Sequence, residues 1–481
     1  MADQIEDGLL GRQYNECPGC TYEQLKQTRR GVPIMELASI WIVVLCATLP
    51  IASIFPYLYF MIEDFHIAES DEDIGYYAGY VESSFMFGRA LTSVFWGVIA
   101  DKYGRKPVIT YCIASVVIIN TLFGLSVNFW MAVGTRFLQG VMNGLLGPIN
   151  AYATEICREE HQGLGLSVIS SAWGIGLIFG TILGGFLSQP AEKYPNLFSK
   201  TSVYGRFPYF LPCLCISLFS LGVTILSLWL PETLHVHKRT DFSQEHFYVE
   251  PPRINSESEK GEHDDQYKSS TSGKSLIKNW PLISSIFVYC TFCLHDMAYT
   301  EVFSLWAISP RSHGGLSYTT QQVGVVLAFF GLGLLIFQLG LYPYMERLFG
   351  AVTVARLAAA LSICLLTCYP LIATLSGFSL AIVLNITSIA KNVFSESIMT
   401  SLILLQNKAV KQHERGVANG ISMTGMSIFK AIGPLGGGSV FSWAQKHQHA
   451  RILPGDQMIF FGLNVVEFIA LILTFKPFLD Y

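Results

Sequence analysis

Residues 97–106 read Gly97-Val98-Ile99-Ala100-Asp101-Lys102-Tyr103-Gly104-Arg105-Lys106, a short charged segment between two long apolar stretches. These stretches cover residues 75–98 and 108–127, and each has the length of about 20 residues that a helix needs to cross a bilayer. Glycine permits a tight turn between two such helices, and basic residues favour the cytosolic side of a membrane. The segment therefore predicts two transmembrane helices joined by a charged cytosolic turn.

Apolar stretches of similar length continue along the chain. Its 481 residues are 51% hydrophobic and only 14% charged, whereas soluble domains carry about 25% charged residues. The formal charge of −4 is too balanced for a nucleic-acid-binding protein. We predict an all-α membrane protein with twelve transmembrane helices, numbered here as spans 1 to 12, over residues 37–60, 75–98, 108–127, 129–152, 164–187, 208–230, 281–306, 322–344, 352–373, 378–404, 417–442 and 458–478.

A polar segment separates the first six spans from the last six. Residues 231–279 contain Pro251-Pro252, many serines and mixed charges, a composition typical of a flexible solvated loop. Lys and Arg are concentrated on the side that holds both termini, which the positive-inside rule assigns to the cytosol. The predicted organisation is a cytosolic N-terminal segment at 1–36, a six-helix half at 37–230, a cytosolic loop at 231–279 and a second six-helix half at 280–478.

The two halves repeat each other. Residues 163–185 align without a gap with residues 416–438, at an offset of 253, and four glycines match. The charged turn recurs as well, because Asp101–Gly104 parallels Glu346–Gly350 with one inserted residue. Two parallel-repeated halves are typical of secondary transporters that bind substrate between the halves near the bilayer midplane. No nucleophile and base occur at the spacing of an enzyme motif, so we predict that the protein is not an enzyme.

The 97–106 segment resembles the loop signature of the major facilitator superfamily at every defined position. The resemblance implies the fold of that superfamily, and a small-molecule or ion substrate. Ion pairs such as Asp101 with Arg105 can latch a cytosolic gate in one conformation. The predicted gating residues are Gly97, Asp101, Lys102, Gly104, Arg105 and Lys106, with Glu346 and Arg347 in the second half.

Charged residues inside the spans are the candidates for coupling and binding, because an intramembrane charge is costly unless it is paired or hydrated. Arg136 in span 4 matches a superfamily element associated with proton coupling, and Glu82 in span 2 lies at a similar depth. The pair is either a proton carrier or a permanent structural ion pair. Asp296 and Lys391 fall near the midplane on spans 7 and 10. With Arg136, they are the predicted substrate-cavity residues.

Span 5 resembles the antiporter motif of the superfamily, with Thr181 where the motif has proline. Glycines spaced by four residues allow helix backbones to approach closely, so generic helix packing is the alternative interpretation. The equivalent place in span 11 keeps the Gly-Pro dipeptide. The predicted packing residues are Gly176, Gly180, Gly184, Gly185, Gly433 and Pro434.

Two short cytosolic motifs carry metal-ligand residues. Cys17 and Cys20 form a Cys-Pro-Gly-Cys motif, and His235 and His237 follow Pro231-Glu232-Thr233-Leu234 after span 6. Thiolates and imidazoles are good zinc ligands, and Cys-x-x-Cys has the right spacing. Zinc at these residues is therefore the one cofactor that the sequence suggests. The alternative is a pair of ordinary cytosolic segments without metal.

These motifs together resemble the zinc-induced facilitator-like family of plant transporters. Residues 55–64, 88–97 and 206–212 are also similar, so the resemblance extends over the whole chain. It implies movement of protons with a metal-chelating amino carboxylate of the nicotianamine or mugineic acid type, or its metal complex, in zinc and iron homeostasis. It implies a vacuolar or plasma membrane location, and we expect a monomer to be the functional unit.

Two other functions stay open from the sequence. One is a potassium or zinc cation/proton antiporter, in which the acidic residues matter more than Lys391. The other is a membrane metal sensor that binds metal at Cys17, Cys20, His235 and His237 without moving solute. Transport of a solute separates the first from the second.

Overall fold

The computed structural model describes residues 17–28, 31–158, 162–234, 276, 278–340, 342–410, 415–447 and 455–479. Each of the twelve apolar stretches coincides with a helix or with two consecutive helices, and the described residues contain no strand. The long polar loop, including His235 and His237, lies outside the described residues. The fold is that of an all-α membrane protein.

The first half begins after an N-terminal helix, Pro18–Thr28. Its spans are Ile34–Ala52 with Leu58–Asp64, Ile74–Tyr103, Arg105–Gly124, Phe129–Met142 with Leu146–Ile156, Gln162–Leu187, and Phe210–Ser227. Short helices, Asp71–Asp73, Pro190–Lys193 and Val203–Arg206, lie in the connections. In the second half the spans are Trp280–Ile308, Thr320–Gly340 with Tyr342–Phe349, Ala351–Leu366 with Tyr369–Ile372, Gly377–Lys408, Arg415–Lys446 and Gly455–Leu473, and Arg311–His313 forms a short turn of helix.

In the part of the chain that the structure describes, five helices are long and apolar enough to cross a membrane on length and hydropathy alone. Buried hydrophobic side chains form separate clusters, one at the inner end of each half and one that joins the halves at the outer end. We call the end that carries Asp71–Asp73 the outer end and the end that carries residues 101–106 the inner end.

Span 4 differs from the unbroken helix that the sequence predicted. The helix Phe129–Met142 stops and resumes at Leu146. The indole of Trp96 in span 2 lies directly against Gly144, where a side chain would have no room, and its Nε1 donates to the carbonyl of Val141 at 2.7 Å. This carbonyl would otherwise accept a bond from within the helix, so the indole replaces one helical bond and the chain turns there.

Small residues in span 5 allow close packing with span 1. A side chain on Gly180 would collide with Ala52, and one on Gly184 would overlap the carbonyl oxygen of Ser53. The hydroxyl of Thr181 donates to the carbonyl of Leu177 at 2.9 Å, and span 5 continues as one helix through this position. Gly433 of span 11 packs in the same way on Met297 of span 7. The glycine pattern thus brings helix backbones together within each half.

We expect Gly184→Ala to lower the free energy of unfolding by about 1–3 kcal/mol, because the methyl group forces spans 1 and 5 apart. Gly222→Ala in span 6 is the matched control, since nothing lies within 4 Å of a Cβ at that position. Thermal unfolding of the purified protein in detergent measures both. Equal stability of the two variants would contradict the packing role of Gly184.

The two halves touch at their outer ends. The backbone of Gly438 in span 11 lies against Gly75 in span 2, and Gly185 in span 5 lies against Thr320 and Gly324 in span 8. The backbone N–H of Tyr76 also donates to the hydroxyl of Ser442 at 2.7 Å. The conformation is therefore closed at the outer end.

Candidate transport site and gates

The centre of the second half holds an ion pair between spans 7 and 10. The Nζ of Lys391 lies 3.2 Å from Oδ1 of Asp296, and the hydroxyl of Ser395 donates to the same oxygen at 2.6 Å. Lys391 is fully buried, whereas the Asp296 side chain remains 21% exposed. The carboxylate therefore faces accessible space while its cation lies behind it.

Aromatic side chains hold Lys391 in place. Its Nζ lies 3.6 Å from the centroid of the Tyr299 ring, a cation–π geometry. The Tyr299 hydroxyl is hydrogen-bonded to the Tyr369 hydroxyl at 2.7 Å, which orients the ring. Asp296 and Lys391, predicted as cavity residues, are thus brought together by the fold. Tyr299 and Ser395 complete the site and were not predicted.

The first half contains a second buried ion pair. Nη2 of Arg136 lies 2.7 Å from Oε1 of Glu82, and Nη1 donates to Oε1 of Gln139 at 3.0 Å. Both charged residues are fully buried. The guanidinium also stacks 4.8 Å from the centroid of the Phe85 ring. The fold therefore pairs the two residues that the sequence placed at a similar depth. Arg136, also predicted as a cavity residue, makes no hydrogen bond or ion pair with Asp296 or Lys391 in the described part of the structure.

Charged groups on the inner end of the first half surround the turn after span 2. Gly104 has φ of +114°, a conformation that disfavours other residues. Both oxygens of Glu232 accept backbone N–H groups at the start of span 3, from Arg105 at 3.0 Å and Lys106 at 3.1 Å. Arg105 Nη2 lies 3.3 Å from Glu155. We call Arg105, Glu155 and Glu232 the inner collar.

The other predicted gating residues lie around this collar. Lys102 is exposed, with its Nζ 5.2 Å from the centroid of the Tyr103 ring, and Gly97 makes no close approach to a neighbouring helix. The side chain of Asp101 lies outside the described part of the structure. The latch between Asp101 and Arg105 stays a prediction. Glu155 and Glu232, which the sequence analysis did not select, contact the predicted gating residues Arg105 and Lys106.

A similar charged contact lies at the inner end of the second half. Glu346 lies 3.8 Å from Lys408, and Gly350, like Gly104, has a positive φ, of +78°. Lys408 follows Glu155 by 253 residues, the offset of the repeat. Glu155 and Lys408 carry opposite charges, and each lies beside a residue of the opposite sign. That residue is Arg105 for Glu155 and Glu346 for Lys408. Arg347 is exposed at the surface.

Two lysines hold the outer ends of the halves together. Lys193 donates to the hydroxyls of Ser188, at 3.0 Å, and Thr320, which crosses from span 5 to span 8. Lys446 lies 2.5 Å from Asp73, which crosses from span 11 to span 2. These lysines are also 253 residues apart. We call this symmetric pair of contacts the outer latch.

The outer latch predicts a pH dependence of stability. Burial lowers the pKa of Lys193 to about 8, so between pH 8 and its ordinary value the unfolded chain binds more protons than the folded one. Stability should therefore rise with pH in that window, and Lys193→Met should remove the rise. Unfolding measured in detergent from pH 7 to 10 tests this.

Lys446→Met is the matched control for that measurement. The hydrogen bond to Asp73 raises the pKa of Lys446, so its contribution is present at lower pH and is lost as the pH rises through that value. The variant should keep the rise that Lys193 causes. A rise that persists in Lys193→Met would contradict the assignment.

The N-terminal helix packs on the inner end of the first half. The backbone N–H of Gly19 donates to the carbonyl of Leu234 at 3.2 Å, and Nζ of Lys26 donates to the carbonyl of Glu155 at 3.0 Å. Cys17 and Cys20 are both buried in this contact. The Cys-Pro-Gly-Cys motif therefore lies beside the segment that leads to the predicted histidine ligands.

Zinc binding at this place stays a prediction. A structural zinc site needs four ligands, and no group of three or more metal-ligand side chains occurs among the described residues. Removal from water and contact with Cys17 raise the pKa of the Cys20 thiol, so metal binding there must also displace protons. Cys17 and Cys20 supply two ligands, and His235 and His237 lie outside the described residues.

A repeated helical bundle, closed at one end over buried ion pairs, defines a membrane transporter of the major facilitator type. Residues 40–434 match the model of the Major Facilitator Superfamily. Among solved structures, the nucleoside transporter NupG superposes with a TM-score of 0.62 at 14% identity, covering 93% of this chain and 99% of that one. The human organic anion transporter MFSD10 gives 0.61 at 17% identity, covering 92% and 100%.

Curated relatives narrow the family further. Protein ZINC INDUCED FACILITATOR-LIKE 1 of Arabidopsis thaliana is 58% identical over 481 residues, with 100% of this chain and 99% of the relative covered. Protein ZINC INDUCED FACILITATOR 1 of the same plant is 54% identical over the same coverage. The chain belongs to the zinc-induced facilitator-like family of major facilitator superfamily transporters. Members of this superfamily are transporters of small molecules, not enzymes.

Proposed function

We propose that the protein is a proton-coupled antiporter of a metal-chelating amino carboxylate, of the nicotianamine or mugineic acid type, or of its metal complex. The observation that carries the proposal is the Lys391 and Asp296 pair, with a buried cation behind a partly exposed carboxylate. The names of the relatives support a role in zinc homeostasis, and the family resemblance extends that role to iron.

The chemistry of the pair suits a ligand that carries both signs of charge. An amine of the ligand can bind Asp296, and a ligand carboxylate can bind Lys391 in exchange for Asp296. Charge-assisted hydrogen bonds of this kind are about twice as strong as neutral ones. Ser395, which donates to Asp296, keeps that carboxylate oriented while the exchange occurs.

Proton coupling is assigned to carboxylates that change their surroundings when the halves rock. Glu82 or Asp296 takes a proton from the acidic side, the halves rock against the inner collar, and the proton leaves on the cytosolic side. Substrate moves outward into the vacuole or the apoplast in the same cycle. With both termini in the cytosol, the outer latch faces the acidic compartment.

Flux measurements in proteoliposomes test the proposal. Purified protein is reconstituted with an imposed pH gradient, and the movement of nicotianamine, potassium and free zinc is measured separately. We expect gradient-dependent nicotianamine movement that stops when a protonophore removes the gradient. Movement of potassium or zinc alone would favour the cation antiporter, and no flux of any solute would favour the sensor.

A further inference from the structure

We infer that Glu301 is a proton-binding site that must be loaded before the outer end can close. Glu301 belongs to span 7 of the second half and is 1% exposed. Neither carboxyl oxygen has a hydrogen-bond partner among the described residues. This inference rests on the proposed function only in that proton binding is coupled to the transport cycle.

The surroundings of Glu301 exclude water. It lines a crevice between the halves with Phe55, Leu58 and Tyr59 of span 1, and the crevice has no room for a water molecule. An ionised carboxylate without donors or water is among the most costly groups to bury, so the neutral form is the one that this conformation holds. The neighbouring hydroxyl of Ser304 is already committed to the carbonyl of Thr300, at 2.9 Å.

The charged residues near Glu301 do not remove its need to be neutral in this conformation. Glu82 on span 2 and Arg136 on span 4 act on Glu301 across the interface between the halves, and Tyr59 on span 1 faces it. The guanidinium of Arg136 is bound to Glu82, at 2.7 Å, and to Gln139. Arg136 is therefore shared between the carboxyl groups of Glu82 and Glu301, and it is already paired with Glu82.

The charged residues on the other helices that pack against span 7 act on Asp296 and His295, away from Glu301. Lys391 of span 10 and Lys430 of span 11 act on Asp296, and Glu467 of span 12 lies 3.4 Å from His295. Asp296 precedes Glu301 by five residues, about 7.5 Å along a helix. Glu301 is thus separate from the substrate pair, and the carboxyl group that acts on it is that of Glu82.

This placement links proton binding to rocking. When the outer ends part, span 7 withdraws from spans 1 and 2 and Glu301 meets the water of the outer compartment, where it exchanges protons. A proton transferred from that water to the carboxylate makes closure possible. An empty, ionised Glu301 would keep the outer end open by desolvation and by repulsion from Glu82. Closure without a bound proton is thereby prevented.

Spin-label distances across the outer end test the inference without any substrate. Labels at Asn196 and Ser312, exposed positions on opposite halves, report closed and open populations in proteoliposomes, in a background with exposed Cys364 and Cys368 replaced by serine. In the parent protein the closed-to-open ratio should fall by up to about tenfold for each unit that the pH rises, because one proton is required. Glu301→Gln should stay closed at every pH, and Glu301→Asp should keep a response.

The control is Glu467→Gln, which neutralises another buried carboxyl, one that has the Ser362 hydroxyl as donor at 2.9 Å. It should keep the pH response of the parent. A Glu301→Gln variant with that same response, or a parent protein without any response, would overturn the inference. If Glu301→Gln fails to fold, Glu301→Ala carries the same expectation. Because no solute is present, absence of nicotianamine flux overturns the proposed function and leaves this result unaffected.

Discussion

Lys391→Ala should lower nicotianamine flux by about 10- to 150-fold, the range that corresponds to a lost charge-assisted hydrogen bond of about 1.5–3 kcal/mol. The lysine is fully buried behind Asp296. Among the described residues, it is the cationic side chain in contact with that carboxylate, and the other contact is the hydroxyl of Ser395. The substrate carboxylate then meets Asp296 without a compensating charge. Flux under a fixed pH gradient, measured at equal amounts of reconstituted protein, gives the ratio.

Two further variants separate binding from folding in that experiment. Lys200→Ala removes an exposed lysine from the outer loop and should leave flux unchanged. Lys391→Ala with Asp296→Asn removes the buried carboxylate that the single variant leaves unpaired, so it should recover thermal stability but not flux. Retention of nicotianamine flux by Lys391→Ala would contradict the proposed transport of a metal-chelating amino carboxylate. Potassium flux in the same variant would favour a cation antiporter.

The sequence predicted the broad fold because its signals are repeated many times. Twelve apolar stretches and a loop signature at residues 97–106 do not depend on fine geometry, and each coincides with helical structure. The break in span 4 could not be predicted, since it depends on Trp96 of another helix meeting Gly144. Burial of a ring against a backbone is a tertiary effect, invisible in the local pattern.

The pairs of the candidate site were partly predictable from depth. Rise along a helix gives the level of Glu82 and Arg136 in the membrane but not the face each presents. For that reason Asp296 was chosen over Glu301, another ionisable residue of span 7. Glu155 and Glu232 were not selected as candidates. The offset of 253 was used only for the glycine repeat, although the same offset relates Glu155 to Lys408 and Lys193 to Lys446.

Arg136→Ala should abolish transport and lower the free energy of unfolding by about 3–5 kcal/mol, the cost of leaving a buried partner charge uncompensated. The guanidinium is fully buried, pairs with Glu82 and stacks on Phe85. Arg136→Lys should fail as well, because an ammonium cannot contact Glu82 and Gln139 through separate nitrogens of one planar group. Flux in proteoliposomes and thermal unfolding measure the two effects.

Glu82→Gln with Arg136→Gln decides whether the pair carries protons or only holds the fold. The double variant contains no buried charge at either position and keeps side chains of similar size, so it should regain most of the stability that Arg136→Ala loses. A structural ion pair predicts that flux returns with stability. A proton carrier predicts a stable protein in which the pH gradient no longer drives nicotianamine. We expect the second result, because Oε2 of Glu82 has no donor among the described residues and so remains available for a proton.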